Sequence, residues 1–465
     1  CSSDLITAYQ GEHDGRMPAK LAFTLWSSEA MRHLGVVEGQ ILRAMGLRPV
    51  WDQGGRVTAI EIIPAAELGR PRIDAVLQIT SVYRDQFDGY MRLLADAIDR
   101  LAMLDEPGNA IAANSRLLAT DLVKSGMEPA AARRAATLRL FSNEPGDYGS
   151  GLPGAVLDST DWEDEGKLAQ SFLTRLQYGY GAEQWGVKLD GANLFARQLS
   201  GVEAAVLSRS SKLHGILSTD HPFEYLGGLS LAVRHLDGTS PSLYVADLRN
   251  PQARITGAAS FLADELRTRY QNPHWIRAMK AEGYAGTLEM LNVVNNLFGW
   301  QVTDPGTVRA DQWQAMHDTY VMDRRELGLN EWFKASNPTA QMQLVERMVE
   351  AIRKGYWDAS AQTRAELAQR WQELAALTGA PATAALTRDF IEVMATGFGL
   401  ETGTAGTGAV NADAASVQGQ VMQQVQPDDQ SGEPPPWRRW VGLALLAALL
   451  AAGAARQRRL NDATI

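Results

Sequence analysis

At 465 residues and 50.7 kDa, with 45% hydrophobic and 21% charged residues, the chain has ordinary globular composition and room for two or three domains. Collagen-like, coiled-coil and wholly disordered chains are excluded. Its 54 acidic residues against 44 basic ones give a formal charge of -10, which argues against nucleic acid as a partner. One cysteine, Cys1, rules out an internal disulfide and any multi-cysteine metal site.

The chain starts at Cys1 rather than at a methionine, which reads as a processed chain or a fragment. Residues 1–145 read as an α/β domain. Apolar runs of strand length at 21–26, 48–51, 57–64, 73–80 and 138–141 alternate with helical periodicity at 29–45 and 86–103, the pattern of a largely parallel sheet. Gly54 and Gly55 mark a turn between adjacent strands. Residues 146–252 are dense in Gly, Tyr and Ser and read as an irregular, loop-rich α+β region that holds a substrate site, with one further strand at 242–247. Helical signals dominate 253–398, beginning with a helix over 255–269. Asn337 caps a helix that Pro338 opens and that runs to about Gly355.

A linker at 399–436 contains no Lys or Arg and ends in three prolines. It leads to WVGLALLAALLAAGAA at 440–455, an uncharged run between arginines with Trp437 and Trp440 at its entrance. Residues 437–459 therefore read as a single transmembrane anchor in the inner membrane.

The chain lacks the Walker-type G-x-x-x-x-G-K-[ST], H-E-x-x-H, G-x-S-x-G and G-x-G-x-x-G signatures, so any ATP is bound by a partner. Two clusters carry chemistry. In Asp220-His221-Pro222-Phe223-Glu224, carboxylates and an imidazole could take protons from a substrate, and His221 and Glu224 could hold a divalent cation. The same segment also reads as a turn whose Asp220 caps backbone amides. In the second cluster, Arg267, Arg269, Tyr270, His274 and Trp275, followed by Trp300, suit an anionic planar ligand, as does Arg234. Aromatics near a helix end serve packing equally well.

Several segments in a single order from about 20 to 358 carry a resemblance. They are LAFTLWSSEAMRHLG, GRPRIDAVLQITSVYRDQF, FSNEPGDYGSGL, STDHPFEYLGGLSLAVRHLDG, LRTRYQNPHWIRAMKAEGYAGTLEML and LNEWFKASNPTAQMQLVERMVEAIRKGYW. The chain resembles the C-terminal part of the large subunit of ATP-dependent tetrapyrrole metal chelatases, the CobN-type cobaltochelatase and H-type magnesium-chelatase family, with wording nearer the cobalt branch.

The resemblance implies a protein that binds a corrin or porphyrin and a divalent metal substrate, Co2+ first and Mg2+ as the alternative, while partner AAA+ subunits carry out ATP hydrolysis. Asp220, His221 and Glu224 would be catalytic, with Arg234, Arg267, Arg269, Tyr270, His274, Trp275 and Trp300 binding the macrocycle. The family's His-Gly-x-x-Glu segment is not in the chain and is expected before Cys1. The leading expectation is a cobaltochelatase-like large subunit with a cytoplasmic body. The alternative is a membrane-tethered periplasmic protein that removes or transfers the metal of haem or a corrinoid without ATP; a third reading is a carrier without activity.

Overall fold

The computed structural model describes residues 2–378 and 383–397; the expected linker and anchor lie outside them. Among the described residues no helix is long and apolar enough to cross a membrane. The described residues form ten strands: β1 Lys20–Leu25, β2 Leu47–Trp51, β3 Val57–Ile62, β4 Asp74–Ile79, β5 Leu140–Ser142, β6 Tyr178–Tyr180, β7 Trp185–Val187, β8 Ala204–Arg209, β9 Ser242–Asp247 and β10 Arg254–Gly257. Eight form one sheet in the order β10-β9-β8-β1-β4-β5-β6-β7. The run from β9 to β5 is parallel, and both edges are antiparallel.

A parallel sheet is covered on both faces, so its strands must be apolar on both sides. β1, β4 and β8 are buried at every position. Successive side chains point to opposite faces and feed two separate cores. Ala22, Val76, Leu207 and Val245 face one; Phe23, Leu77, Val206 and Tyr244 face the other. The second core is covered by helices Ser2–Glu12, Val36–Met45 and Asp88–Met103. The first is deeper and takes the C-terminal helical layer, including Tyr284–Thr303, Ala310–Tyr320, Pro338–Arg353 and Ala361–Thr378.

The mostly parallel sheet and the helical C-terminal layer agree with the sequence reading. Asn337 accepts a hydrogen bond from the Ala340 amide at 3.1 Å and opens the helix Pro338–Arg353 as expected. Four differences have local causes. The helix expected over 29–45 is two, Ser27–His33 and Val36–Met45, because Leu34 and Gly35 both turn left-handed between them (φ 53 and 81). β2 and β3 pair with each other in a separate hairpin instead of joining the sheet. The middle region carries more short elements than expected among its loops: it contributes β6 to β9 and four α-helices, elements of three to ten residues too short to show a period. Residues 254–257 form the edge strand β10, and the helix expected from 255 starts at Ala258.

The amino end of the sheet is fastened by a buried ion pair. Arg139 and Asp74 have no exposed surface and meet through two hydrogen bonds of 2.8 and 3.1 Å; Asn114 donates to the second Asp74 oxygen at 2.8 Å. Burial disfavours the Asp74 carboxylate, but the Arg139 guanidinium outweighs it and holds the group below its ordinary range. Lys20, in register with Asp74 on β1, is pushed down to about 8, chiefly by burial.

Removing one partner of such a pair leaves an uncompensated buried charge, so Asp74→Ala should lose about 3–5 kcal/mol in urea unfolding. Because the folded-state value of Asp74 is depressed, its contribution is complete above the unfolded value of about 3.9 and is lost as pH falls through the folded one. Acid titration of the wild type should show that loss and the variant should lack it.

Candidate active site

The chain runs from β1 outward through β4 and β5, then returns to β8 and β9 on the other side of β1. The connections therefore diverge between β1 and β8, and in open α/β sheets ligands settle at the carboxyl ends of the strands beside such a point. Here those ends are Leu25, followed by Trp26, and Arg209.

Arg209 has no exposed surface and donates to both Asp220 oxygens at 2.8 and 3.0 Å. Its charge also lies 3.7 Å from the buried Glu29 carboxylate and 5.2 Å from the centre of the Trp26 ring. Glu29 in turn accepts from the Ser210 amide at 2.7 Å and from Arg32 at 2.6 Å. Burial works against the Asp220 carboxylate, yet Arg209, helped by the Ser218 hydroxyl, keeps it ionised below its ordinary range.

Beyond Asp220 the backbone does something unusual. His221 sits at φ 50, a left-handed conformation uncommon for a residue with a side chain, and the next turn, Phe223–Gly227, is a π-helix that runs straight into the helix Gly228–Asp237. Single π-turns inside helices are frequent at functional sites. The wide turn is packed through its glycines. A Cβ on Gly227 would fall 2.2 Å from Thr303 Oγ1, and one on Gly228 would fall 2.4 Å from the Phe172 ring.

Glu224, in the π-turn, accepts from both the amide and the hydroxyl of Ser150 at 2.8 Å. Ser150 belongs to the glycine-rich segment after β5, where Arg84 and Arg175 hold backbone carbonyls and Asn143 donates to the Gly149 carbonyl. Tyr225 meets Trp26 edge-on at 5.6 Å; its hydroxyl is pushed well above the ordinary range by burial and then by the Glu224 charge. Trp26 and Tyr225 are both buried; the ionised Asp220 and the Glu224 carboxylate at this end of the sheet are groups that could take a proton from a substrate.

The structure links Asp220 to Arg209, Glu29 and Trp26, and links Trp26 through Tyr225 to the turn in which Glu224 bonds Ser150, with His221 between them in the chain. Arg209 could have been noticed in the sequence as a charge closing an apolar strand; the others carry no local signal.

The second cluster also falls on a π-turn, Leu266–Tyr270. Arg269 there holds the carbonyls of Lys212 and Leu213, and the adjacent Glu265 accepts from the Ile216 amide at 2.7 Å, so this turn anchors the 210–219 loop that leads to Asp220. Tyr270 and Trp300 are buried, Trp300 donating to the Ile216 carbonyl at 2.8 Å, and Trp275 packs on Tyr270. Arg234 spans to Glu165 and the carbonyls of Val302 and Thr303. Arg267 and His274 are exposed and pair locally with Asp264 and Arg277. The structure does not bring these two to the Asp220 group.

Among the described residues no group of three His, Cys, Asp or Glu side chains is placed to hold a metal, so His221 and Glu224 lack a third ligand. Hollows of about 340 to 470 Å³ lie elsewhere, none lined by Asp220, His221, Glu224 or Arg267. Asp220, His221 and Glu224 are themselves half-buried.

Residues 1–364 match the family model CobN/Magnesium Chelatase. The chain belongs to the CobN/magnesium chelatase family. It is 34% identical over 368 residues to the CobN protein of the aerobic cobaltochelatase of Sinorhizobium sp, covering 78% of this chain and 28% of that protein. Identity to the H-type magnesium-chelatase protein of Cereibacter sphaeroides is 30% over 364 residues, 77% of this chain and 29% of that one. The catalytic subunit of cobaltochelatase from Mycobacterium tuberculosis superposes with a TM-score of 0.74 at 32% identity, over 81% of this chain and 31% of that one. The chain therefore spans about three tenths of the length of these relatives, and within the family it is homologous to both cobalt and magnesium branches.

The electrostatics of this CobN/magnesium chelatase edge can be measured directly. Asp220 should titrate below the ordinary 3.8. In Arg209→Met the burial remains and the cation goes, so the carboxyl should titrate above 3.8 when followed by carbon-13 NMR.

Proposed function

We propose that the chain is part of a cobaltochelatase-like large subunit that binds a corrin or porphyrin and a divalent metal substrate, Co2+ in first place, with ATP hydrolysed by AAA+ partners. The observation that carries this reading is the contact chain from Asp220 through Arg209 and Trp26 to Tyr225, which brackets His221 and Glu224 at the switch point of a sheet homologous to that of a cobaltochelatase catalytic subunit. Metal insertion must remove two pyrrole protons and strip water from the cation. Carboxylate and imidazole groups receive protons and meet the incoming metal. Their half-buried position fits a site whose walls come from other parts of such a subunit.

The test is a pair of measurements on the full-length subunit with its ATPase partners. In spectral titrations with a metal-free tetrapyrrole, Glu224→Gln should keep the affinity within about threefold, while metal insertion falls about 100-fold or more, the usual worth of a positioned acid or base. Insertion at the wild-type rate in Glu224→Gln would remove this edge from the reaction. Replacing Arg267, exposed and locally paired, with Ala should leave both quantities unchanged.

A further inference from the structure

Asn296 is buried on the helix Tyr284–Thr303, and its amide is oriented without ambiguity. Its Nδ2 donates to the Leu217 and Ser218 carbonyls, each at 3.0 Å, and carbonyl oxygens can only accept. The other end, Oδ1, therefore faces His221 Nδ1 at 2.9 Å. An amide oxygen cannot donate, so the hydrogen in that bond must sit on His221 Nδ1. In a neutral imidazole with Nδ1 protonated, Nε2 carries a bare lone pair. Nε2 has no partner among the described residues and is not among the sealed, unsatisfied atoms of the core.

Two more features hold the ring in place. The left-handed backbone at His221 is over-determined by the His221 amide donating to the Ser218 carbonyl at 3.1 Å and by the Glu224 amide donating to the His221 carbonyl at 2.8 Å. The Phe223 ring meets the imidazole edge-on at 5.9 Å. Such strain persists where surrounding structure enforces it, and it aims a side chain that a relaxed turn would not.

We infer that Asn296 is a positioning residue that locks His221 in the Nδ1–H tautomer, so that Nε2 is the atom that accepts a pyrrole proton. The inference rests on the functional reading above. In the step itself a pyrrole N–H bond breaks, its electron pair stays on the macrocycle nitrogen, and an Nε2–H bond forms. The imidazole becomes an imidazolium whose Nδ1–H still donates to Asn296, and the proton later passes to solvent.

The tautomer is read on the protein alone, by nitrogen-15 NMR of labelled histidine, and so is independent of any substrate. The wild type should show a protonated Nδ1 and an unprotonated Nε2. Asn296→Ala should release the lock, giving a mixture of tautomers, with kcat for metal insertion by the full-length subunit falling at least about tenfold and KM for the macrocycle within about threefold. His221→Asn should lose about 100-fold in kcat while folding normally, since asparagine enters the left-handed region readily.

A wild-type Nε2–H tautomer overturns the inference whatever the macrocycle does. An unchanged tautomer and kcat in Asn296→Ala would also overturn it. A correct tautomer in a full-length subunit that binds no tetrapyrrole would remove the functional reading, and with it the role of Nε2, while leaving the lock itself observed.

Discussion

The site depends on one guanidinium. Arg209 ends a strand buried along its whole length and carries its charge where water does not reach, so it must be neutralised within the protein. It draws Asp220 to the sheet edge, and its surroundings bring Glu29 and the Trp26 face to the same place. Arg209 thereby fixes Asp220 at the start of the segment that presents His221 and Glu224, while Trp300 and Asn296 hold the carbonyls of Ile216, Leu217 and Ser218 just before it. The loop before it is pinned at its far side by Glu265 and Arg269, so the 210–221 connection is held at both ends.

The two singled-out sequence clusters turn out to have different relations to the site. Asp220, His221 and Glu224 stand in it. Arg269 acts on backbone carbonyls, and Tyr270, Trp275 and Trp300 mainly pack the first core. Both clusters coincide with π-turns, each a place where an ordinary helix is interrupted and polar groups are redirected. Residue types alone could not separate the two roles, because arginine and tryptophan serve a planar anion and a packed interior through the same chemistry.

What was legible in the sequence follows physical scale. β1, β4 and β9 are visible because mainly apolar runs of strand length have few explanations, and the cap at Asn337 because Asn-Pro is a local signal. β6 and β7 have three residues each and are strands only because β5 offers an edge to β6 and β6 to β7. The break at Leu34 and Gly35 was hidden because leucine is an ordinary helix residue whose left-handed turn is imposed from outside. Of the site, the chain showed the donors in contiguous wording and concealed their partners. Glu29 lies 180 residues before Arg209, and Asn296 is one of several amides in its helix, beside Asn292, Asn295 and Gln301, unremarkable until the fold puts it against a histidine.

The glycines of the wide turn have one more consequence. Thr303 and Phe172 occupy the space where side chains of residues 227 and 228 would stand, and the Phe223 ring fills the corresponding space over Gly299. The turn and the long helix behind it therefore interlock, Thr303 of the helix seated on Gly227 and Phe223 of the turn seated on Gly299, so a shift of the wall that carries His221 and Glu224 has to be followed by the helix that carries Asn296.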